Sequence, residues 1–261
     1  MAETHPVLYQ ERDGIAWITL NRPEALNALS IEVLKQLSEF LERIGSNNSV
    51  RAVIVTGSGS NAFSAGADIR YLSQATPLEV REFARLAIAV NHQIETLGKV
   101  VVAAINGYAL GGGLELAESC MIRVAARHAR LGHPEVRIGA IAGFGGTTRL
   151  PRLVGRGRAA ELLLRGRVVT AEEALHIGLV QFVADSANLL GEAEAILRDI
   201  LAQSPVAVKL TWEALHRGLN MTLEESTALG TDYFGLVAAS EDFRVGTKAF
   251  LEKRNASFTG R

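Results

Sequence analysis

Two short stretches hold almost no polar side chain: Ala52–Thr56 (Ala-Val-Ile-Val-Thr) and Val100–Ile105. Both are of strand length, and neither alternates apolar with polar residues. A strand of that kind has to be covered on both faces, as in a layered α/β core. The segments around them supply the covering layers. Ser30 can cap a helix whose apolar residues Val33, Leu34, Leu37, Leu41 and Ile44 recur at helical spacing. Thr76-Pro77-Leu78-Glu79 combines a capping box with proline in the first turn, predicting a helix to about Leu97, ahead of Gly98. Gly14–Leu20 and Met121–Ala125 read as further strands.

The second half changes character. Arg158–Leu164, Thr170–Ile177 and Leu189–Gln203 read as helices, the second with a capping box from Thr170 to Glu173. Ser204-Pro205 opens another to about Arg217, Thr222 to Glu225 opens the next, and Ser240 caps a last one reaching Lys253. Nothing beyond about residue 190 reads as a strand. The expected organisation is an α/β core over residues 1–190 and a helical C-terminal region over 191–261 that serves oligomerisation.

Composition narrows the class. The 261 residues suit one large domain or a domain with an appendage. Charge is nearly balanced, with 27 basic and 28 acidic residues and no long basic run, which disfavours nucleic acid as a partner. The single cysteine, Cys120, permits no intrachain disulfide and fits a reducing compartment. Met1–Arg12 has the pattern of neither a secretory signal nor a transit peptide, and no apolar run approaches the ~20 residues that span a bilayer. A cytoplasmic protein away from the membrane is the expectation.

The chemistry concentrates around two glutamates. Glu115 lies in Asn106-Gly-Tyr-Ala-Leu-Gly-Gly-Gly-Leu-Glu115-Leu, and Glu135 in Leu131-Gly-His-Pro-Glu135-Val-Arg-Ile-Gly139. Two carboxyl groups can divide acid and base work when their surroundings push their pKa values apart. Glycine costs ~1 kcal/mol against alanine inside a helix, so Gly111-Gly112-Gly113 at a helix start indicates a special backbone. Free amides there carry partial positive charge and can hold a developing oxyanion or a phosphate. A P-loop is excluded because no Gly-Lys-Ser or Gly-Lys-Thr follows, and the dinucleotide-binding pattern does not fit. Taken singly, the features have plain readings: Glu115 as a helix-dipole partner, Glu135 as a surface residue, Asp68 as a helix cap after Gly66. The histidines show no metal-ligand spacing, and no nucleophile elbow is present, which disfavours metal and serine-nucleophile mechanisms.

Taken in order, these segments resemble the enoyl-CoA hydratase/isomerase (crotonase) superfamily over nearly the whole chain. The resemblance runs through Leu20-Asn-Arg-Pro-Glu-Ala-Leu-Asn-Ala-Leu29, Phe63-Ser-Ala-Gly-Ala-Asp-Ile69, Ala104 to Ala117, His133-Pro-Glu135, Gly145-Gly-Thr and Arg149-Leu-Pro, and closes at Phe250-Leu-Glu-Lys-Arg254. It implies a spiral core of repeated ββα units with a helical C-terminal region, trimers often paired into hexamers, and a coenzyme A thioester as substrate, with no separate cofactor. It places an oxyanion hole at the amides of Ala67 and Gly112. It makes Glu115 the group that orients and deprotonates water, Glu135 the donor of the α-proton, and the Gly143 amide a holder of the water. Ala25, Leu26, Ala65 and Ala67–Arg70 (Ala67, Asp68, Ile69, Arg70) would line the coenzyme A path, joined at its nucleotide end by Phe250 and Lys253. Glutamate at both positions favours hydration of a trans-2-enoyl-CoA to the 3-hydroxyacyl-CoA. The alternatives are isomerisation, hydration of a methylglutaconyl thioester, and an acyl-CoA-binding subunit without catalysis. Three residues depart from the common pattern: Ala142 replaces proline, Phe144 a small residue, and His133 a glutamine. Phe144 is expected to reshape the acyl pocket, and His133 to alter the proton affinity of Glu135 if the two touch.

Overall fold

The computed structural model describes residues 5–261, so the first four residues of the N-terminal segment read above lie outside it. It opens with a hairpin, β1 (Val7–Arg12) and β2 (Ile15–Leu20), paired antiparallel. The turn residues Asp13 and Gly14 both have positive φ, 52° and 77°, the conformation an Asp-Gly hairpin turn supplies. The sequence reading missed β1. Most of its side chains are exposed or half-buried, so no apolar pattern marks it.

Next come α1 (Ile31–Ser46), β3 (Ala52–Gly57), β4 (Ala62–Ser64), α2 (Ile69–Leu72) and α3 (Pro77–Thr96). Then follow β5 (Val100–Ile105), β6 (Tyr108–Leu110), α4 (Gly112–Ser119), β7 (Ile122–Ala126) and β8 (Arg130–Gly132). The predicted caps are made: Ser30 Oγ accepts from the Val33 amide, and Thr76 and Glu79 form a complete capping box. The larger sheet has the order β1-β2-β3-β5-β7-β10, where β10 is Phe182–Ala184. The smaller has the order β4-β6-β8-β9, where β9 is Val168–Thr170. From β3 to β8, consecutive strands therefore alternate between sheets. β3, β5 and β7 each continue into a strand of the small sheet before the chain turns into helix, which is the repeated ββα unit. Every residue of β3 and β5 is buried, so both apolar runs are covered on both faces. Full burial of one such Val or Ile contributes roughly 1.5–3 kcal/mol.

Two asparagines brace the start of the small sheet. Asn27 donates to the carbonyls of Ser58 and Ala62 (3.0 and 2.7 Å), and Asn106 to those of Gly57 and Gly59 (2.8 Å each). These bonds fix the loop between β3 and β4, and with it the segment leading to Ala67.

The remaining elements are α5 (Gly146–Val154), α6 (Arg156–Arg165), α7 (Ala171–His176), α8 (Leu189–Leu201), α9 (Pro205–Gly218), α10 (Leu223–Ala238) and α11 (Glu241–Leu251). Helix α5 was not expected; it holds Pro151 in its interior. The Thr170 cap is half made. Its hydroxyl accepts from the Glu173 amide, but the Glu173 carboxylate is taken by Arg167. No described helix is long and apolar enough to cross a membrane.

The chain divides into two compact units: residues up to Leu97 with Val101–Glu194, and Gly98–Val100 with Ala195–Arg261. In the second, the buried carboxylate of Asp242 accepts from the Ser204 hydroxyl (2.9 Å) and from the amides of Thr259 and Gly260 (2.8 and 3.0 Å). Leu215, Leu219, Leu223, Phe234, Leu236 and Leu251 of this unit are exposed.

Candidate active site

The site forms in the first unit where the bracing segments meet the glycine run. Leu29 pairs with Ala67 as an isolated parallel bridge: the Leu29 amide donates to Gly66 O (2.8 Å), and the Asp68 amide donates to Leu29 O (2.9 Å). In that ladder the amide of Ala67 itself points to the opposite side. On that side lies the N-terminus of α4. Gly112 is its first residue, so its amide has no partner within the helix. A methyl group added at Gly112 would lie 3.4 Å from the Ala67 nitrogen. The two amides thus belong to neighbouring backbones, each left free by its own secondary structure.

The close approach depends on missing side chains. A Cβ at Gly113 would sit 2.2 Å from the Ser64 carbonyl oxygen, and one at Gly112 would sit 2.7 Å from the Phe144 ring. The phenyl ring therefore lies against the Gly112 backbone. It also meets Phe83 edge-on, with centroids 5.2 Å apart. The Phe144 carbonyl is clamped by Asn91 of α3 and Arg149 of α5 (3.1 Å each), and Arg149 forms a bidentate pair with Glu95.

Helix α4 carries Glu115 in its first turn, fully buried. One of its oxygens accepts from the amides of Phe144 and Gly146, both at 2.7 Å. Burial raises its pKa from 4.5 to about 7; the Gly146 amide and His133 oppose the rise, while Glu118 and Glu135 add to it. Glu135 begins a short 3-10 turn after Pro134, and its side chain is 15% exposed. Neither of its oxygens has a hydrogen-bond partner among the described residues. One carboxyl group is thus anchored and poised near neutrality, and the other is close enough to repel it and holds no fixed donor. Such a pair can take a proton from a water and deliver one to carbon.

His133 stands between them, 1% exposed. Its Nε2 lies 2.9 Å from Glu118 Oε1, and its Nδ1 lies 3.6 Å from Glu135 Oε1. Sequence reasoning missed Glu118. Its position one helical turn beyond Glu115 was the available signal, but a glutamate there reads as a solvated face.

The expected site residues fall into four groups. Glu115, Glu135, Ala67 and Gly112 come together, and Gly143 directly precedes the Phe144 amide that holds Glu115. Ala25, Leu26 and Ala65 adjoin the same segment, with Leu26 in the left-handed region (φ 50°) and its carbonyl accepting from the Ala65 amide at 3.0 Å. Asp68 is committed elsewhere. It caps α2 by accepting from the Arg70 amide (3.1 Å) and pairs with Arg22 (3.0 Å), so the plain reading of this carboxylate holds. Ile69 and Arg70 are exposed beside it. Phe250, 83% exposed, and Lys253 belong to the second unit, at the end of α11.

Comparison with known proteins identifies the family. The family model for enoyl-CoA hydratase/isomerase matches residues 10–261. A short-chain-enoyl-CoA hydratase of Clostridium acetobutylicum is 42% identical, covering 97% of both chains. A crotonyl-CoA hydratase of Syntrophomonas wolfei is 41% identical with the same coverage. The crystal structure of an enoyl-CoA hydratase from Bacillus anthracis superposes with a TM-score of 0.94 at 37% identity, over 98% of this chain and all of that one. The free amides, the paired carboxyl groups and these likenesses lead to one conclusion: the chain belongs to the enoyl-CoA hydratase/isomerase family, with the crotonase fold.

Proposed function

We propose that the protein adds water across the double bond of a trans-2-enoyl-CoA with a short acyl chain, giving the 3-hydroxyacyl-CoA. The observation that carries this reading is the pair of differently held carboxyl groups beside two free amides. The thioester oxygen sits between the amides of Ala67 and Gly112, which draw electrons from the β-carbon and hold the enolate charge as it develops. Glu115 takes the proton from water through the oxygen its amide partners leave free, with the Gly143 backbone alongside. Glu135 supplies the α-proton. Ala25, Leu26, Ala65 and the Ala67–Arg70 backbone line the coenzyme A path, and Phe250 and Lys253 of a neighbouring subunit meet its nucleotide end, as the family resemblance implies. The Phe144 ring against Gly112 shortens the acyl slot, in keeping with the short-chain substrates named for the relatives above.

The same reading includes a reaction without metal or redox cofactor, as in the hydration step of β-oxidation. Among the described residues no group of three or more His, Cys, Asp or Glu is placed to hold a metal ion. It also includes a cytoplasmic location, supported by a lone buried cysteine. Assembly as trimers or paired trimers through the 191–261 region is supported by that region's exposed apolar side chains.

The test is hydration of crotonyl-CoA by the purified protein, followed by loss of the conjugated thioester absorbance with and without a chelator. Glu115→Gln and Glu135→Gln are each expected to lower kcat by roughly 10²–10⁴-fold. Equal turnover by the wild type and Glu115→Gln would sink the two-carboxylate mechanism. Isomerised product from a thioester panel would select the isomerase reading, and binding without turnover the non-catalytic one.

A further inference from the structure

Outside the amide pair and its two carboxyl groups, the first unit buries one more ionisable cluster, formed by Glu118 and His133. Glu118 is 5% exposed and projects from the last turn of α4; His133 is 1% exposed and precedes Pro134. Their 2.9 Å contact uses Nε2, which leaves Nδ1 buried, without a hydrogen-bond partner, and 3.6 Å from Glu135 Oε1. The other oxygen of Glu118 is also buried and unpartnered. The imidazole also lies near Glu115: a Cβ at Gly146 would meet His133 Cε1 at 2.8 Å and Glu115 Cγ at 3.1 Å. One ring is therefore surrounded by Glu115, Glu118 and Glu135. Two arginines also act on the cluster, Arg149 on Glu118 and Glu115 and Arg123 on Glu118, while their hydrogen bonds go to other groups. Arg149 of α5 pairs with Glu95 of α3, and Arg123 of β7 binds the carbonyls of Leu179 and Cys120.

We propose that His133 is a positioning residue, held as an imidazolium by Glu118, that aims its Nδ1–H at Glu135 and sets the proton affinity of the reacting carboxyl pair. Charge and geometry require such an arrangement. Ionised carboxyl groups around a neutral ring would repel one another at low dielectric, whereas an imidazolium cancels one charge and attracts any other that is ionised. Burial by itself lowers the imidazole pKa, but Glu118 and Glu135 outweigh it and bring the value up to about 10. In the free site the 3.6 Å separation is longer than a hydrogen bond, and it is expected to close when substrate fills the cleft. Glu118 thereby confines the positive charge to the imidazole side of the site, so that both reacting carboxyl groups feel a cation that does not itself touch substrate.

The inference rests on the hydratase reading, so its test has one arm that needs no activity. Ring ¹⁵N resonances of the histidines, with His133 assigned through His133→Gln, are expected to show His133 doubly protonated at neutral pH and beyond. A His133 ring that loses its proton at or below neutral pH overturns the proposal, whatever the enzyme turns over. The kinetic arm uses the paired variant Glu118→Gln/His133→Gln, which replaces the ion pair by a neutral amide pair and avoids stranding one charge. Because His133 acts on Glu115 more strongly than Glu118 does, removing both takes away more attraction than repulsion. The acidic limb of the kcat/KM profile is expected to move up by about one pH unit, with KM little changed. His133→Gln alone is expected to lose more activity than the pair, since it leaves Glu118 buried without its cation. A folded double variant whose pH profile overlays the wild type overturns the proposal.

Discussion

The decisive residue is Glu115, whose surroundings pull in opposite directions. Burial raises its pKa to about 7, while two amides at 2.7 Å hold its ionised form. The folded state therefore keeps a proton through a window, from 4.5 to about 7, in which the unfolded chain has lost it. Stability contributed by this group falls as pH rises through that window, by about 3 kcal/mol at the upper end. Glu115→Gln keeps an acceptor for both amides and removes the charge. Its melting temperature relative to wild type is expected to be higher at about pH 8 than at about pH 5. A difference that stays flat with pH would contradict this origin of the shift. Phe144 gives a second residue-scale prediction. Phe144→Ala opens the space against Gly112 and Phe83, so the ratio of hexenoyl- to crotonyl-CoA turnover is expected to rise about tenfold, at a stability cost of about 3 kcal/mol. An unchanged ratio would remove the ring from the acyl slot.

At the scale of elements, the site depends on how closely α4 approaches β4. The Ser64 carbonyl oxygen sits 2.2 Å from where a Gly113 side chain would begin, and both partners there are backbone. Gly113→Ala is thus expected to destabilise the protein by more than about 3 kcal/mol by denaturant titration, or to be recovered unfolded. A soluble variant with unaltered midpoint would refute the contact. The apolar runs of β3 and β5, the caps at Ser30, Thr76 and Thr222, and the glycine run before Glu115 were all legible in the sequence, because each rests on a local rule. Strand β1 was not, since its exposed side chains carry no pattern, although Asp13-Gly14 announces the turn. Helix α5 was hidden by Pro151. Half of the Thr170 cap was misread because Arg167 competes for Glu173. In the site, the glutamates and glycines were visible as residues, but the bond from Phe144 to Glu115 spans 29 positions and belongs to tertiary structure. Glu118 was invisible for the same reason: only folding brings His133 to it.

At the scale of the whole molecule, the exposed apolar side chains of the second unit bear on assembly. Leu215, Leu219, Phe234 and Leu236 are all more than half exposed in the single chain. Apolar side chains this open to water can serve as a subunit contact. Light scattering is expected to give a mass of three chains or a multiple of three, and charged substitutions at Phe234 and Leu236 together to lower it. A monodisperse monomer at micromolar concentration would reject the assembly. The way Phe144 is built into the protein bears on how its descendants can change. Its ring fills the slot beside Gly112, while its main chain holds Glu115 and is itself clamped by Asn91 and Arg149. Mutation alters a ring but leaves an amide in place. With the roles proposed above for Phe144 and Glu115, a lineage can trade one acyl length for another at this position while inheriting the base unchanged, and substrate range is free to diverge faster than chemistry.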